Sequence, residues 1–250
     1  MDGRLLVLKN TFELCKLRRK ILQKGQVLII PVVATAIFIG IMYSIFPIGI
    51  TSSFLLSATF LYFVCVYISM TLNGKENDVF EETLMMHCKM PLNYYVSREM
   101  LLITQCFGYS LILTMFPAAL FLLRSSKFIR PMEATDVILG GLNIFFSGLC
   151  GMATGDFFHP RLLHNRKDGI LGALTVSVLV ICKEGLIVYF APLVTLNYVL
   201  PPYLDGFKLV GSTDFFEPKG MILIFLHMVI YSTVVVCLKV WILEKRRFRY

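Results

Sequence analysis

Residues 50–72 read Ile-Thr-Ser-Ser-Phe-Leu-Leu-Ser-Ala-Thr-Phe-Leu-Tyr-Phe-Val-Cys-Val-Tyr-Ile-Ser-Met-Thr-Leu, an unbroken run without a charge. A bilayer core about 30 Å thick is crossed by roughly 20 apolar residues in a helix, and this run is long enough. Five other segments match it: about 26–46, 100–123, 134–158, 170–194 and 220–243. They are continuous rather than alternating, so they read as helices and not as strands of a closed barrel, the other structure that satisfies its backbone in lipid. Composition agrees. With 57% hydrophobic and 16% charged residues and a mean hydropathy of +0.74, a soluble domain of 250 residues has more apolar side chain than it can bury. The expected fold is an all-α integral membrane protein, one transmembrane domain over 1–250 with six transmembrane helices.

Orientation follows from Lys and Arg. Seven precede the first run, which lacks a small-residue cleavage site and so reads as a retained anchor. With both termini in the cytoplasm, 18 of the 24 basic residues lie inside. Of the other six, Lys183 is intramembrane and five face outward, with Arg124, Lys127 and Arg130 clustered in one loop against the rule. Residues 4–24 read as an interfacial amphipathic helix: Leu5, Leu8, Phe12, Cys15 and Leu22 recur at helical steps, with Lys9, Lys16, Arg18, Arg19 and Lys20 between them. The net charge of +8 then anchors the chain to a lipid membrane with anionic headgroups, and nucleic acid is not needed to explain it.

Beyond residue 72 the run stops at Asn73-Gly74, and a polar stretch to Glu99 separates the second and third spans. Asp78, Glu81 and Glu82, with Glu76, form an acidic patch, followed by Leu84, Met85 and Met86, then Pro91-Leu92-Asn93, Tyr94, Tyr95 and Arg98. Asp78 can cap a new helix, and Pro91 with Asn93 ends it and starts the next. The product is a short helix across the membrane face, charged on one side and Met/Leu on the other.

This order resembles the permease subunits of type-2 ATP-binding-cassette (ABC) exporters. In that family an interfacial helix precedes six spans with cytoplasmic ends. The loop between spans two and three reads acidic, apolar, Pro-apolar-Ser/Asn, aromatic, basic, which maps onto Glu81 or Glu82, Leu84 to Met86, Pro91-Leu92-Asn93, Tyr94 or Tyr95, and Arg98. The resemblance implies that 73–99 is a cytoplasmic coupling loop whose short helix docks on a separate ATPase subunit, probed by Asp78, Glu81, Glu82, Leu84, Met85, Met86, Pro91, Tyr94 and Arg98. It also implies re-entrant helices before span six, where Pro192, Pro201 and Pro202 interrupt the overlong fifth segment.

The motor is elsewhere. The single Gly-Lys, Gly74-Lys75, is followed by Glu76 and lacks the upstream Gly of a phosphate-binding loop. The chain is therefore expected to be no enzyme and to bind no cofactor, with ATP and Mg held by the partner ATPase. His159 and His164 lack a third ligand, so no metal site is expected, and the seven Cys show no paired spacing. Motifs of intramembrane proteases and transferases are missing, and inverted repeats that would mark an ATP-independent carrier are not evident.

Two charges fall at membrane depth. Lys183 and Glu184 lie well inside the fifth segment, where an ion costs about 2.5–3.5 kcal/mol, so each is expected either in an ion pair or on a translocation path. Gly148, Gly151 and Gly155, with Ser147 and Ala153, form a small-residue stripe for close packing within the subunit. Asp156 reads as a solvated helix end, with Arg161 or a water-filled entrance as the alternatives it can face.

The expected assembly is two permeases, identical or different, with two ATPases in the bacterial cytoplasmic membrane. Few charges line the spans, so the expected cargo is hydrophobic or amphipathic, a membrane-active peptide first.

Overall fold

A computed structural model of the chain describes residues 11–20, 22, 28–75, 84–85, 91–159, 162–163, 166–189, 195–210 and 214–246. Among the described residues the fold is all-helical without a strand. Its elements are α1 (11–20), α2 (Ile29–Met42), α3 (Ile50–Lys75), α4 (Pro91–Leu123), α5 (Ala134–Phe157), α6 (Arg166–Tyr189), α7 (Leu196–Val199), α8 (Gly206–Val210) and α9 (Pro218–Arg246).

Four of these, α3, α4, α5 and α9, are long and apolar enough to cross a membrane, which makes the chain multi-pass by architecture. They fall on the second, third, fourth and sixth of the expected runs. In the first run, α2 has 14 residues and is about 21 Å long, shorter than a bilayer core. The fifth run holds α6, with 24 residues. Helix α4 begins at Pro91, earlier than the expected span, because proline is favoured in a first turn that needs no amide donor. Its 33 residues measure about 50 Å, so its first turns extend beyond a bilayer core.

Helix α5 is the centre of the bundle, packed most extensively on α3 and then on α9 and α4. The glycine stripe makes that position possible. A Cβ at Gly151 would overlap the Tyr62 carbonyl, and one at Gly155 would come within 2.6 Å of the Val66 carbonyl, so α3 and α5 touch backbone to backbone here.

The end of the bundle that meets α1 is called basal here. Arg18 of α1 turns into it, with 1% exposure, donating to the Tyr94 carbonyl at 2.9 Å and the Ser97 hydroxyl at 2.8 Å and lying 4.2 Å from the Tyr94 ring centre. Sequence pattern places Arg18 on the polar face of an amphipathic helix. The structure turns it inward because α4 supplies acceptors and an aromatic face that replace its water. Phe12, expected on the apolar face, is 61% exposed, whereas Leu22 is buried as that face requires.

The opposite, distal end is held by a clasp of three connections. Ile48 and Phe128 form a bridge, with Ile48 donating to Lys127 at 3.0 Å and Ile129 donating to Ile48 at 3.1 Å. Asp214, at a positive φ of 36° that Asp tolerates better than most residues, accepts the Ile50 and Thr51 amides at 3.2 and 3.1 Å and caps α3 from a distant connection. Arg130 grips Asp136 through two 2.7 Å bonds and the Asp214 carbonyl through two more at 2.9 and 2.7 Å, while Lys127 sits 3.6 Å from the Phe46 ring centre. Two cations of the basic 124–130 loop thus have partners within the fold.

Between α6 and α9 the chain enters the bundle. Leu200 and Tyr203 are buried, Tyr203 stacks on Tyr62 with ring centres 4.0 Å apart, and Gly206 packs against Leu55. Tyr62 is about 18 Å along α3 from its distal start.

Candidate functional site

At the basal end the bundle buries a group of charges. Arg98 lies in the third turn of α4, Asp156 in the last turn of α5 and Lys239 in the last third of α9. Arg98 Nη2 meets Asp156 Oδ1 at 2.6 Å, and Lys239 Nζ bonds the other Asp156 oxygen and Glu99 Oε1, the latter at 2.9 Å. Arg98, Asp156 and Lys239 are at most 1% exposed and Glu99 is 18% exposed. Two cations face two anions. Buried ions persist only when paired and hydrogen-bonded, and this corner meets that condition with contributions from three helices.

Asp156 is therefore not the solvated helix end expected from its position. It is enclosed because α4 and α9 both flank α5 and each delivers a cation at this level, while Arg161 lies outside the described residues.

A second layer lies beside the charges. Met85, Tyr94, Tyr95 and Leu243 pack into one buried cluster, joined by Leu84, Leu162 and Val240. Tyr94 and Tyr95 meet edge to face, and Tyr94 also carries the Arg18 contact from α1. Asn73 at the end of α3 donates to the Gly155 carbonyl of α5 at 3.3 Å. Of the residues assigned to coupling, Leu84, Met85, Tyr94 and Arg98 thus come together at the basal end, and Pro91 opens α4. Asp78, Glu81, Glu82 and Met86 lie outside the described residues.

Sequence reasoning missed Glu99 and Lys239. The adjacent pair Arg98-Glu99 at the entrance to an apolar run was a usable signal, since both must be satisfied once that run is enclosed. Lys239 heads the basic C-terminal end of the sequence, where pattern alone reads it as a flanking charge.

Lys183 of α6, 0% exposed, pairs with Asp205 at 2.8 Å, and Lys208 approaches the same carboxylate at 3.2 Å. Of the two expectations for Lys183, ion pairing is the one with a partner on display. The side chain of Glu184 lies outside the described residues.

Two concave regions adjoin these groups. One of about 360 Å³ lies between α3 and α6, walled by Phe63, Met70, Asn73, Phe158 and Leu174. Another of about 240 Å³ runs between α4, α5 and α9, bordered by Glu99, Ile103, Met152, Ala153, Thr233 and Val236. No family model, curated protein or solved structure matches the chain.

Proposed function

We propose that the chain is the permease subunit of an ABC exporter, which moves a hydrophobic or amphipathic cargo across a cell membrane with ATP hydrolysed by a separate subunit. In this reading α2 and α6 complete a set of six spans, the basal end is cytoplasmic together with both termini, α1 lies at the inner interface, and α7 and α8 form the re-entrant element. Two permeases and two ATPases make the working assembly.

The observation that carries the reading is the seating of the 73–99 connection. Its described residues Leu84 and Met85 pack with Leu243 of α9, and the start of α4 is bound through Arg98 and Glu99 to α5 and α9. A push on the acidic stretch from outside would reach three helices at once through buried, paired groups rather than being lost in a slack loop. Tyr94 and Arg98 then serve as the inner fixture of the lever, and the acidic residues as its outer contact. The chain lacks a phosphate-binding loop of its own, so in this reading the force on that fixture is supplied by a partner.

Affinity isolation of the chain from its native membranes, with peptide sequencing of what accompanies it, tests the proposal. A nucleotide-binding ATPase is the expected companion. Transport in liposomes containing this chain alone would replace the proposal with an ATP-independent carrier.

A further inference from the structure

At the basal end of the cleft between α3 and α6 stands Phe158. A Cβ at Gly172 would overlap its ring and one at Gly169 would come within 3.1 Å of its carbonyl, so α6 rests on Phe158 and packs only lightly on α3. The space left, about 360 Å³, is walled by Val66 and Met70 of α3 and Ala173 and Leu174 of α6. It follows α3 from Phe63 to Gly74, about 16 Å, which is close to the depth of one leaflet. Tyr67, Ile170 and Leu174 on its border are exposed, so it is open along the side of the bundle. None of the described lining residues is charged.

Polar groups follow in a fixed order at its basal end. Asn73 lines the cleft at 2% exposure; its Nδ2 donates to the Gly155 carbonyl, which sets the orientation of the amide, and its Oδ1 has no partner among the described residues. Only an O–H or N–H donor can answer that oxygen, and a buried acceptor left unanswered is costly. Further out, at the helix ends, come two cations. Lys75 is four residues after the lining Thr71 and Lys167 is three before the lining Ile170, so each shares a helix face with the cleft. Both are exposed, and neither has an acidic partner among the described residues. Asp168, the acidic neighbour of Lys167, lies about 100° round α6.

We propose that this cleft holds a single-chain anionic glycerophospholipid of the lysophosphatidate class, drawn from the basal leaflet. Its acyl chain lies along α3, its free backbone hydroxyl donates to Asn73 Oδ1, and its phosphate is held by Lys75 and Lys167. The order of groups selects this occupant: apolar wall, open acceptor, then cations, matching chain, hydroxyl and phosphate. A diacyl phospholipid has esterified that hydroxyl, a fatty acid lacks it, and a monoacylglycerol lacks the charge. A cationic head would be repelled by the two lysines. The site requires only that α3 and α6 stand in a membrane and does not rest on the transport reading.

The test uses the full chain in phosphatidylcholine nanodiscs. Lysophosphatidate carrying a diazirine in its acyl chain is photolysed and the labelled peptides are mapped. Saturable labelling of the peptides bearing residues 63–71 and 170–177 is expected. Plain oleoyl lysophosphatidate should displace it at concentrations at least tenfold below those needed for monooleoylglycerol, which has no phosphate, and at least threefold below those for oleyl phosphate, which has no backbone hydroxyl. The double variant Lys75→Gln, Lys167→Gln should erase the first preference and Asn73→Leu the second. Because both lysines are exposed, the double variant serves if Asn73→Leu does not fold. Equal displacement by all three competitors, a preference for phosphate that survives in the double lysine variant, or labelling that never saturates overturns the proposal. Any of those results leaves the ATPase association to be decided by its own experiment.

Discussion

Asp156 of α5 and Arg98 of α4 meet at 2.6 Å with their side chains withdrawn from solvent, and Lys239 of α9 closes on the same carboxylate. Three helices separated widely in sequence thus share one anion. Removing it leaves Arg98 and Lys239, both withdrawn from solvent, with Glu99 as the remaining anion of the group.

Asp156→Asn, which keeps the shape and deletes the charge, should destabilise the folded chain by about 3–5 kcal/mol. Arg98→Met should cost less than this, because Lys239 still contacts Asp156 and the anion left in excess, Glu99, is the more exposed of the two. Thermal unfolding in detergent, compared across the two variants, measures the order. Equal stability of wild type and Asp156→Asn would show that the network is not what holds the basal end.

Glu81→Lys and Glu82→Lys reverse charge in the stretch proposed to face the motor. Membrane insertion should be intact, and substrate-stimulated ATP hydrolysis in the assembled complex should fall severalfold, as when a steering or interface charge is inverted. Pro91→Ala, which loosens the start of α4, should fall with them. Hydrolysis that continues to respond to substrate at wild-type levels in these variants removes the lever role.

Gly151 and Gly108 are both helical glycines with opposite surroundings. A Cβ at Gly151 would overlap the Tyr62 carbonyl, whereas nothing lies within 4 Å of one at Gly108. Gly151→Ala should therefore destabilise by about 1–3 kcal/mol as α3 and α5 are forced apart. Gly108→Ala should be neutral or stabilise by up to about 1 kcal/mol through lower helix-forming cost. Urea or heat titration of the two proteins side by side provides the readout.

Lys183 and Asp205 should respond asymmetrically. Asp205→Asn strands Lys183, which is 0% exposed, and should cost about 3–5 kcal/mol, while Lys208→Ala at the more exposed partner should change little. The paired replacement of Lys183 by Met and Asp205 by Leu should recover most of the loss. A double variant no better than Asp205→Asn would mean that the pair has a role beyond mutual neutralisation.

The helices that cross the bundle were legible in the sequence because a long apolar run in a helix needs no information from elsewhere. The Gly148-Gly151-Gly155 stripe was legible for the same reason, since three small residues at helical spacing already define a face. Pairing was not. Asp156 looked like a solvated helix end until α4 and α9 were seen to flank it, and nothing local marks Lys239 as its partner 83 positions away. Arg18 likewise sat among five basic residues, and only the proximity of Tyr94 and Ser97 sets it apart from Arg19. The capping of α3 by Asp214 spans 164 positions to Ile50 and carries no short-range signature. For the coupling stretch, the pattern located a connection whose described apolar residues are seated inside the basal end, while the acidic positions outside the described residues stand on the pattern alone.

Because α9 is the most C-terminal of these helices, the order of synthesis bears on the basal charges. A nascent chain that has delivered α4 and α5 holds Arg98 against both Glu99 and Asp156, one negative charge in excess, until Lys239 emerges. Neutrality of that corner is completed only when α9 joins α4 and α5. Assembly thereby acquires an electrostatic end-point: an intermediate without α9 carries an unbalanced anion that the complete bundle does not.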